Sequence, residues 1–267
     1  VTPVMNLGED EFENVIKIFK KYPKIKTDGI NKVSHPTRKV NLHYNLYNTD
    51  KKARTEKSSE PTYTLDYSQC ESFLKTSDAI LVNMISGIDI TIETLKNIRK
   101  NFNGYIHIDI HNIVMDTKED GSRVHKNVDD WSEWCCNSDT LQMNEFEIAS
   151  LTKEKLSEYK IAEEILYNNN YNVKGIIVTR GKMGVTGFVK KEKSFGNEKF
   201  YDLDRIDIAS IENPHFADFT GCGDVFASSF TIDYSVNKDF VKSMRYANRM
   251  ASLNVSLEGI KELGKLK

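Results

Sequence analysis

Asp218-Phe219-Thr220-Gly221-Cys222-Gly223-Asp224, running on into VFASSFTIDY at Val225 to Tyr234, is the stretch on which the fold turns. Its two glycines allow a tight turn and close approach of backbone to a ligand. Behind them a helix is expected from Gly223 to Tyr234, with small residues at Ala227, Ser228 and Ser229. The bare N–H groups that open such a helix form an anion site. A carboxylate, Asp224, lies in the same first turn. An anion hole beside a carboxylate suits phosphoryl transfer to an alcohol. The N–H groups hold the transferring group while the carboxylate takes the hydroxyl proton. The competing reading is a plain capping turn, with Thr220 or Asp224 as cap and the glycines serving geometry alone. Spacing by itself favours the cap. Phe226 stands where a third glycine would complete a dinucleotide fingerprint.

Outward from this turn the pattern alternates. AILVNMI (Ala79 to Ile85) reads as a buried strand, Thr91 to Asn101 as an amphipathic helix and YIHIDI (Tyr105 to Ile110) as a strand. Thr140 to Met143 is a short strand leading into a helix at Glu145. Ile161 to Asn169 is helical, and GIIVT (Gly175 to Thr179) is strand again. Such alternation predicts a mostly parallel sheet covered by helices. Val185 to Val189 and Phe200 to Ile208 read as edge strands in antiparallel pairing, and a last helix spans Lys238 to Leu257. Near the start, Glu11 to Lys21 is helical, acidic first and basic last, and stopped by Pro23. KVNLHYNLYN (Lys39 to Asn48) alternates with period two, the mark of a half-exposed antiparallel strand. Lys51 to Pro61 is a loop by composition. Residues 33–66 therefore read as a small β lid, and 1–32 with 67–267 as an α/β nucleotide-binding core.

The 267 residues suffice for one large domain, or one domain with a small appendage. Hydrophobic residues make up 39% and charged residues 28%, as in ordinary globular chains. A formal net charge of −2 gives no field to draw nucleic acid or an anionic membrane. The runs around Lys190 to Lys193 and Lys238 read as solvated faces. Cys70, Cys135, Cys136 and Cys222 show no CxxC or zinc spacing, so a reducing, cytoplasmic setting is expected. No apolar run reaches the ~18 residues of a membrane span.

Three further motifs bear on chemistry. Gly175 to Lys182 fails as a P-loop, since five residues separate the glycines, Met183 replaces Ser or Thr, and the interior is strand. His107, Asp109 and His111 would share one face of a strand and suggest a zinc site for a metallohydrolase. Alternate strand residues lie about 7 Å apart, however, and three rarely reach one ion; a polar strand end facing a cleft is the commoner case. Arg38 and Arg54 are a candidate phosphate clamp, against the commoner reading of surface arginines. Trp131, Trp134 and Cys135 read as a helix packing face.

The segment DFTGCGDVFASSF resembles the second signature of the ribokinase-like (PfkB) carbohydrate kinases, usually D-T-x-G-A-G-D. Asn144-Glu145-Phe146-Glu147 resembles that family's N-x-x-E motif, and Thr179-Arg180-Gly181 with Gly184 its T-x-G strand. Tyr246-Ala247-Asn248 resembles the helix backing the nucleotide, and Leu7-Gly8-Glu9-Asp10 the family's V-G-x-D. Cys222 stands for the usual Ala and Phe219 for the usual Thr. The resemblance implies a three-layer α/β/α ribokinase-like fold with a mostly parallel central sheet. It implies Asp224 as catalytic base, with the backbone of Gly221, Cys222 and Gly223 as anion hole. Asn144 and Glu147 would organise Mg²⁺ and its waters, and Thr179, Gly181 and Asn248 would contact ATP. Asp218 and Thr220 would hold a monovalent cation, K⁺. Asp109 resembles the Asp that family members carry at the end of its strand.

The implied acceptor is a sugar, sugar phosphate or nucleoside, with no nucleic acid or membrane partner, and a homodimer through the lid is expected by analogy. Residue by residue, the plainer readings stay open: a capping box at Asn144 and Glu147, a strand end at Thr179, a hydrogen-bonded helix residue at Asn248. Family members carry some tens of residues before V-G-x-D, with a Gly-rich acceptor turn, so the chain is expected to lack that N-terminal segment. A non-catalytic nucleotide- or sugar-binding protein on the same fold is the alternative from another class.

Overall fold

The structure is a computed structural model and describes residues 1–44, 54–60, 63–168, 170–195, 198–215, 219–257 and 259–266. The chain opens with β1 (Met5–Gly8), α1 (Phe12–Phe19), β2 (Ile30–Val33), β3 (Val40–Tyr44), β4 (Arg54–Ser58) and α2 (Tyr67–Leu74). There follow β5 (Ala79–Asn83), α3 (Ile92–Asn101), β6 (Tyr105–Asp109), β7 (Met115–Thr117), β8 (Arg123–His125) and α4 (Trp131–Cys136). The remainder is β9 (Thr140–Asn144), α5 (Glu145–Leu151), α6 (Glu158–Tyr167), β10 (Gly175–Thr179), β11 (Val185–Phe195), β12 (Glu198–Ile208), α7 (Cys222–Asn237) and α8 (Phe240–Asn254). Two compact units result: Val1–Ser77 with Met84–Asn103 and Asn112–Asn127, and Asp78–Asn83 with Gly104–His111 and Val128–Lys267.

The larger unit is built on a six-stranded sheet in the order β12-β11-β10-β9-β6-β5. The four strands β5, β6, β9 and β10 run parallel, and β11 and β12 add an antiparallel hairpin, as the alternating pattern predicts. Side-chain alternation sorts the strand residues between two helical layers. Tyr105, Ile177 and Val185 face α7 and α8, where they join Phe226, Phe230, Tyr234, Phe240, Met244 and Ala247 in one buried cluster. Phe226, Ala227, Phe230 and Tyr234 recur at helical spacing, so α7 presents a single apolar face. Phe230 has no exposure and lies 5.4 Å from the Phe240 ring, edge to face. Burying one such ring contributes about 1.5–3 kcal/mol. On the opposite face Tyr159 of α6 meets Phe188 of β11 at 6.4 Å. Helices thus cover both faces, the three-layer arrangement expected of parallel strands. Gly175 admits the Phe240 ring, since a Cβ there would stand 2.3 Å from its Cε2. In α4, Trp134 and Cys135 are buried, as a packing face should be.

The smaller unit holds three two-stranded pairs. β1 and β2 are parallel, β3 and β4 antiparallel, and β7 and β8 antiparallel. Helix α3 is capped by the Thr91 side chain, which accepts from the Thr94 N–H at 3.0 Å. Sequence reading makes residues 51–61 a loop; the structure instead places β4 there, with Arg54 opposite Tyr44 and Ser58 opposite Val40. The polar run RTEKS carries no strand signature of its own; backbone pairing to the alternating β3 makes it a strand. Of the strand expected over Lys39 to Asn48, residues 45–48 lie outside the described set. No helix among the described residues is long and apolar enough to cross a membrane.

Candidate active site

Parallel strands deliver their C-terminal ends to one edge of a sheet, and that edge is where open α/β sheets bind ligands. In the larger unit the strand registers align Asn83 with Asp109, Asp109 with Gln142, and Asn144 with Thr179. Asn83, Asp109, Asn144 and Thr179 end β5, β6, β9 and β10, and Gln142 lies two residues before the end of β9.

Helix α7 begins at the glycine turn. Gly221 caps it in a left-handed conformation, with φ of +80°. The Val225 N–H closes the first helical bond onto the Gly221 carbonyl at 2.9 Å, and the Cys222 N–H turns back to the Phe219 carbonyl at 3.3 Å. Gly223 and Asp224 sit in the first turn, where backbone N–H groups have no acceptor within the helix. Nothing lies within 4 Å of where a Cβ on Gly223 would be. Asp224 is exposed, and its Oδ1 accepts a hydrogen bond from Asn83 Nδ2 at 2.7 Å. Gln142 is buried and donates through Nε2 to the Gly223 carbonyl at 3.1 Å and to Asp109 Oδ2 at 3.3 Å. The turn is therefore fastened to the sheet through its backbone and through its carboxylate.

Beside it lies a second group. Asn144 caps α5, its Oδ1 accepting from the N–H groups of Phe146 and Glu147 at 2.9 Å each. Glu147 accepts from the Asn144 N–H at 2.7 Å and from Asn144 Nδ2 at 2.6 Å, completing a reciprocal capping box. His111 Nδ1 stands 3.6 Å from Glu147 Oε1. Burial raises the Asp109 carboxyl well above its ordinary range, and the neighbouring Glu147 and Asp224 charges add to that rise. Asp109 therefore lies within electrostatic reach of both Glu147 and Asp224. These hard oxygen donors meet the needs of Mg²⁺, which takes one or two carboxylates and keeps several waters.

The remaining expected residues are dispersed around this centre. Thr179 ends β10, and Gly181 follows at φ of +52° with open space around its α-carbon. Arg180 between them is tied to Glu158 and Thr186. Asn248 is buried in α8 and donates to the Ala209 carbonyl at 2.9 Å. The Thr220 carbonyl accepts from Asn254 Nδ2 at 3.2 Å. Cys222 Sγ lies 3.6 Å from the Ala251 carbonyl. Asp218 lies outside the described residues.

The zinc arrangement expected of His107, Asp109 and His111 is not formed. The strand ends at Asp109, and His111 follows in a turn with φ of +36°, so it leaves the strand's face. His107 is fully buried against Thr140, at 2.7 Å from Nδ1, and against the Phe230 ring. Among the described residues no group of three or more His, Cys, Asp or Glu side chains could hold a metal ion. Sequence reading also misses Asn83 and Gln142. Asn83 is the one polar residue closing the apolar strand β5, and Gln142 is one of three polar residues that alternate with Leu141 and Met143 in β9, so neither pattern singles it out.

Solved structures confirm the architecture. A ribokinase from Thermotoga maritima superposes with a TM-score of 0.67 at 22% identity, covering 98% of this chain and 77% of that one. A putative ribokinase II from E. coli, in complex with ATP and Mg²⁺, gives 0.70 at 18%, covering 100% and 79%. A pyrophosphate-dependent kinase in the ribokinase family, complexed with a pyrophosphate analogue and myo-inositol, gives 0.71 at 12%, covering 100% and 85%. Among curated proteins none matches the chain. The fold is the ribokinase fold, and its sheet edge carries a glycine turn with an adjoining carboxylate. The chain belongs to the pfkB family of carbohydrate kinases, whose sequence profile matches residues 45–263.

Proposed function

We propose that this kinase transfers the γ-phosphoryl group of ATP to an alcohol of a sugar, sugar phosphate or nucleoside, with Asp224 as base. The observation that carries the reading is the exposed Asp224 carboxylate, one residue from the open backbone of Gly223 in the first turn of α7. The acceptor oxygen attacks the γ-phosphorus as the bridging bond to the β-phosphate breaks, and Asp224 receives the hydroxyl proton. The backbone of Gly221, Cys222 and Gly223 is the proposed anion hole for the charge that gathers on the phosphoryl oxygens, with the Cys222 N–H turned to the Phe219 carbonyl in this structure and the open Gly223 nearest the base. Gln142 holds the Gly223 carbonyl, and Asn83 orients the base. Glu147, with Asp109 and Asn144 beside it, would hold Mg²⁺ through its waters; when bound, the ion neutralises phosphate charge. Thr179, Gly181 and Asn248 are proposed as nucleotide contacts, and Thr220 with Asp218 as a monovalent-cation loop.

The test is release of ADP, or of phosphate from pyrophosphate, against a panel of sugars, sugar phosphates and nucleosides. Acceptor-dependent release is expected, and Asp224→Asn should lower kcat about a thousandfold while leaving nucleotide affinity near unchanged. Turnover by the variant within tenfold of the parent would sink the assignment. Nucleotide-linked stabilisation without any release would instead mark a binding protein.

A further inference from the structure

Behind the glycine turn, the face of the sheet that packs against α7 buries a column of polar side chains. The register sets Thr140 beside His107 and Gln142 beside Asp109, and residues two apart on a strand share a face. Tyr105 Oη meets Thr140 Oγ1, which lies 2.7 Å from His107 Nδ1. Gln142 Nε2 stands 3.1 Å from the Gly223 carbonyl and 3.3 Å from Asp109 Oδ2. Each of these two groups ends on a buried atom without a hydrogen-bond partner: His107 Nε2 on one, Gln142 Oε1 on the other. Gln142 is nevertheless the side chain that acts most strongly on the His107 ring.

The donors and acceptors of the column allow one orientation. A carbonyl oxygen only accepts, so the Gln142 atom at Gly223 is the NH₂ group, and Oε1 is left to find a donor. His107 is fully buried beside the Phe230 ring, where a neutral imidazole with a single proton is favoured over a charged one. With that proton on Nδ1, the ring donates to Thr140, and either the Tyr105 or the Thr140 hydroxyl proton has no acceptor in the column. Nε2 and Gln142 Oε1 would then face each other as two acceptors. With the proton on Nε2, Tyr105 donates to Thr140, Thr140 donates to Nδ1, and Nε2 supplies the donor that Oε1 lacks. Only the second arrangement pairs every group, as buried polar networks require.

We infer that His107 is a positioning residue for phosphoryl transfer: its Nε2–H donates to Gln142 Oε1 and so fixes the amide that holds the Gly223 carbonyl and the turn carrying Asp224. His107 touches no reacting atom and acts through Gln142. Without it Oε1 is unpaired, and nothing else in the column keeps the NH₂ group turned to Gly223. The effect on catalysis rests on the phosphotransfer reading of Asp224; the hydrogen bond itself does not.

The experiment has two readouts. Long-range nitrogen–proton correlation spectra of the full chain, isotope-labelled at histidine and without ligand, report which ring nitrogen carries the proton. His107, identified through the bonds to its own backbone, should carry it on Nε2; a proton on Nδ1 would overturn the inference. The second readout is steady-state ADP release with an acceptor that supports it. His107→Phe keeps the packing on Phe230 and should lower kcat about tenfold with the KM for nucleotide little changed. His107→Gln, whose amide N–H can replace Nε2–H, should recover most of that loss. Gln142→Leu should lose about as much as His107→Phe, and the double variant no more than Gln142→Leu alone. A folded His107→Phe with parental kcat, a loss that His107→Gln does not recover, or losses that multiply in the double variant would each overturn the inference. No ADP release from the wild type would instead sink the kinase reading, and the spectra would then still decide the hydrogen bond.

Discussion

Asn83 donates to one oxygen of Asp224 across 2.7 Å, which leaves Oδ2 as the oxygen turned toward the glycines, 3.9 Å from where a Cβ on Gly221 would stand. A base that must accept a proton from an incoming alcohol gains from having its rotamer set in advance, since small misplacements of reacting groups are costly. Asn83→Ala removes this restraint without touching the carboxylate. The expected outcome is a kcat lowered about tenfold, with the KM for nucleotide little changed, read from steady-state ADP release. A variant with unchanged kcat would show that the first turn of α7 orients Asp224 by itself. Asn83 is legible in the sequence only as a polar end to an apolar run, and Gln142 only as one polar residue of an alternating strand. Their partners, Asp224 and the Gly223 carbonyl, are 141 and 81 residues away, and only the packing of α7 on the sheet brings them together. Asp224 is legible, because turn, helix start and carboxylate are contiguous.

At the scale of the element, α7 shows why the capping reading and the anion-site reading of Asp218 to Asp224 do not compete. Gly221 is the cap, through its backbone in the left-handed region, and no side chain caps the helix. The same geometry that begins the helix leaves its first-turn N–H groups without an acceptor inside the helix, as the proposed anion site requires. Gly221→Ala tests this. The space around the position is open, so the variant's penalty is conformational, about 1–2 kcal/mol for a left-handed residue with a Cβ. If α7 instead unwinds by one residue to relieve it, Asp224 shifts and activity falls further than stability. The expected result is a lowered urea midpoint together with a loss of kcat; an active enzyme of parental stability would contradict the assignment of Gly221 to the cap. At this scale most strands and helices could be read from periodicity, since β5, β6, β10 and the apolar face of α7 carry their own patterns. RTEKS could not, because a polar ribbon strand is defined by its partner.

At the scale of the whole molecule, two buried titratable groups on one strand set how stability responds to acid. His107, buried against Phe230 and Thr140, has its pKa lowered to about 3, chiefly by desolvation. Unfolded, it titrates near 6.5. As pH falls below about 6.5 the unfolded chain takes up a proton that the folded chain refuses, so His107 removes up to about 1.4 kcal/mol per pH unit. Asp109, two residues on, works the other way. Its carboxyl is raised well above the usual range, so the folded chain binds a proton before the unfolded one, and stability rises on acidification until about pH 4. Where both windows overlap, above about pH 4, the two slopes oppose each other, and the wild type should respond to acid less steeply than either group alone dictates. Single variants separate them. Asp109→Asn leaves the histidine alone and should lose stability by about 1.4 kcal/mol for each unit of acidification. His107→Phe fills the same apolar space, leaves the carboxyl alone and should gain stability over the same descent. Urea midpoints taken at half-unit pH steps read both slopes directly. Curves for the two variants that run parallel to the wild type would mean that neither group is held in the state its burial dictates, and that the strand end at Asp109 admits water freely.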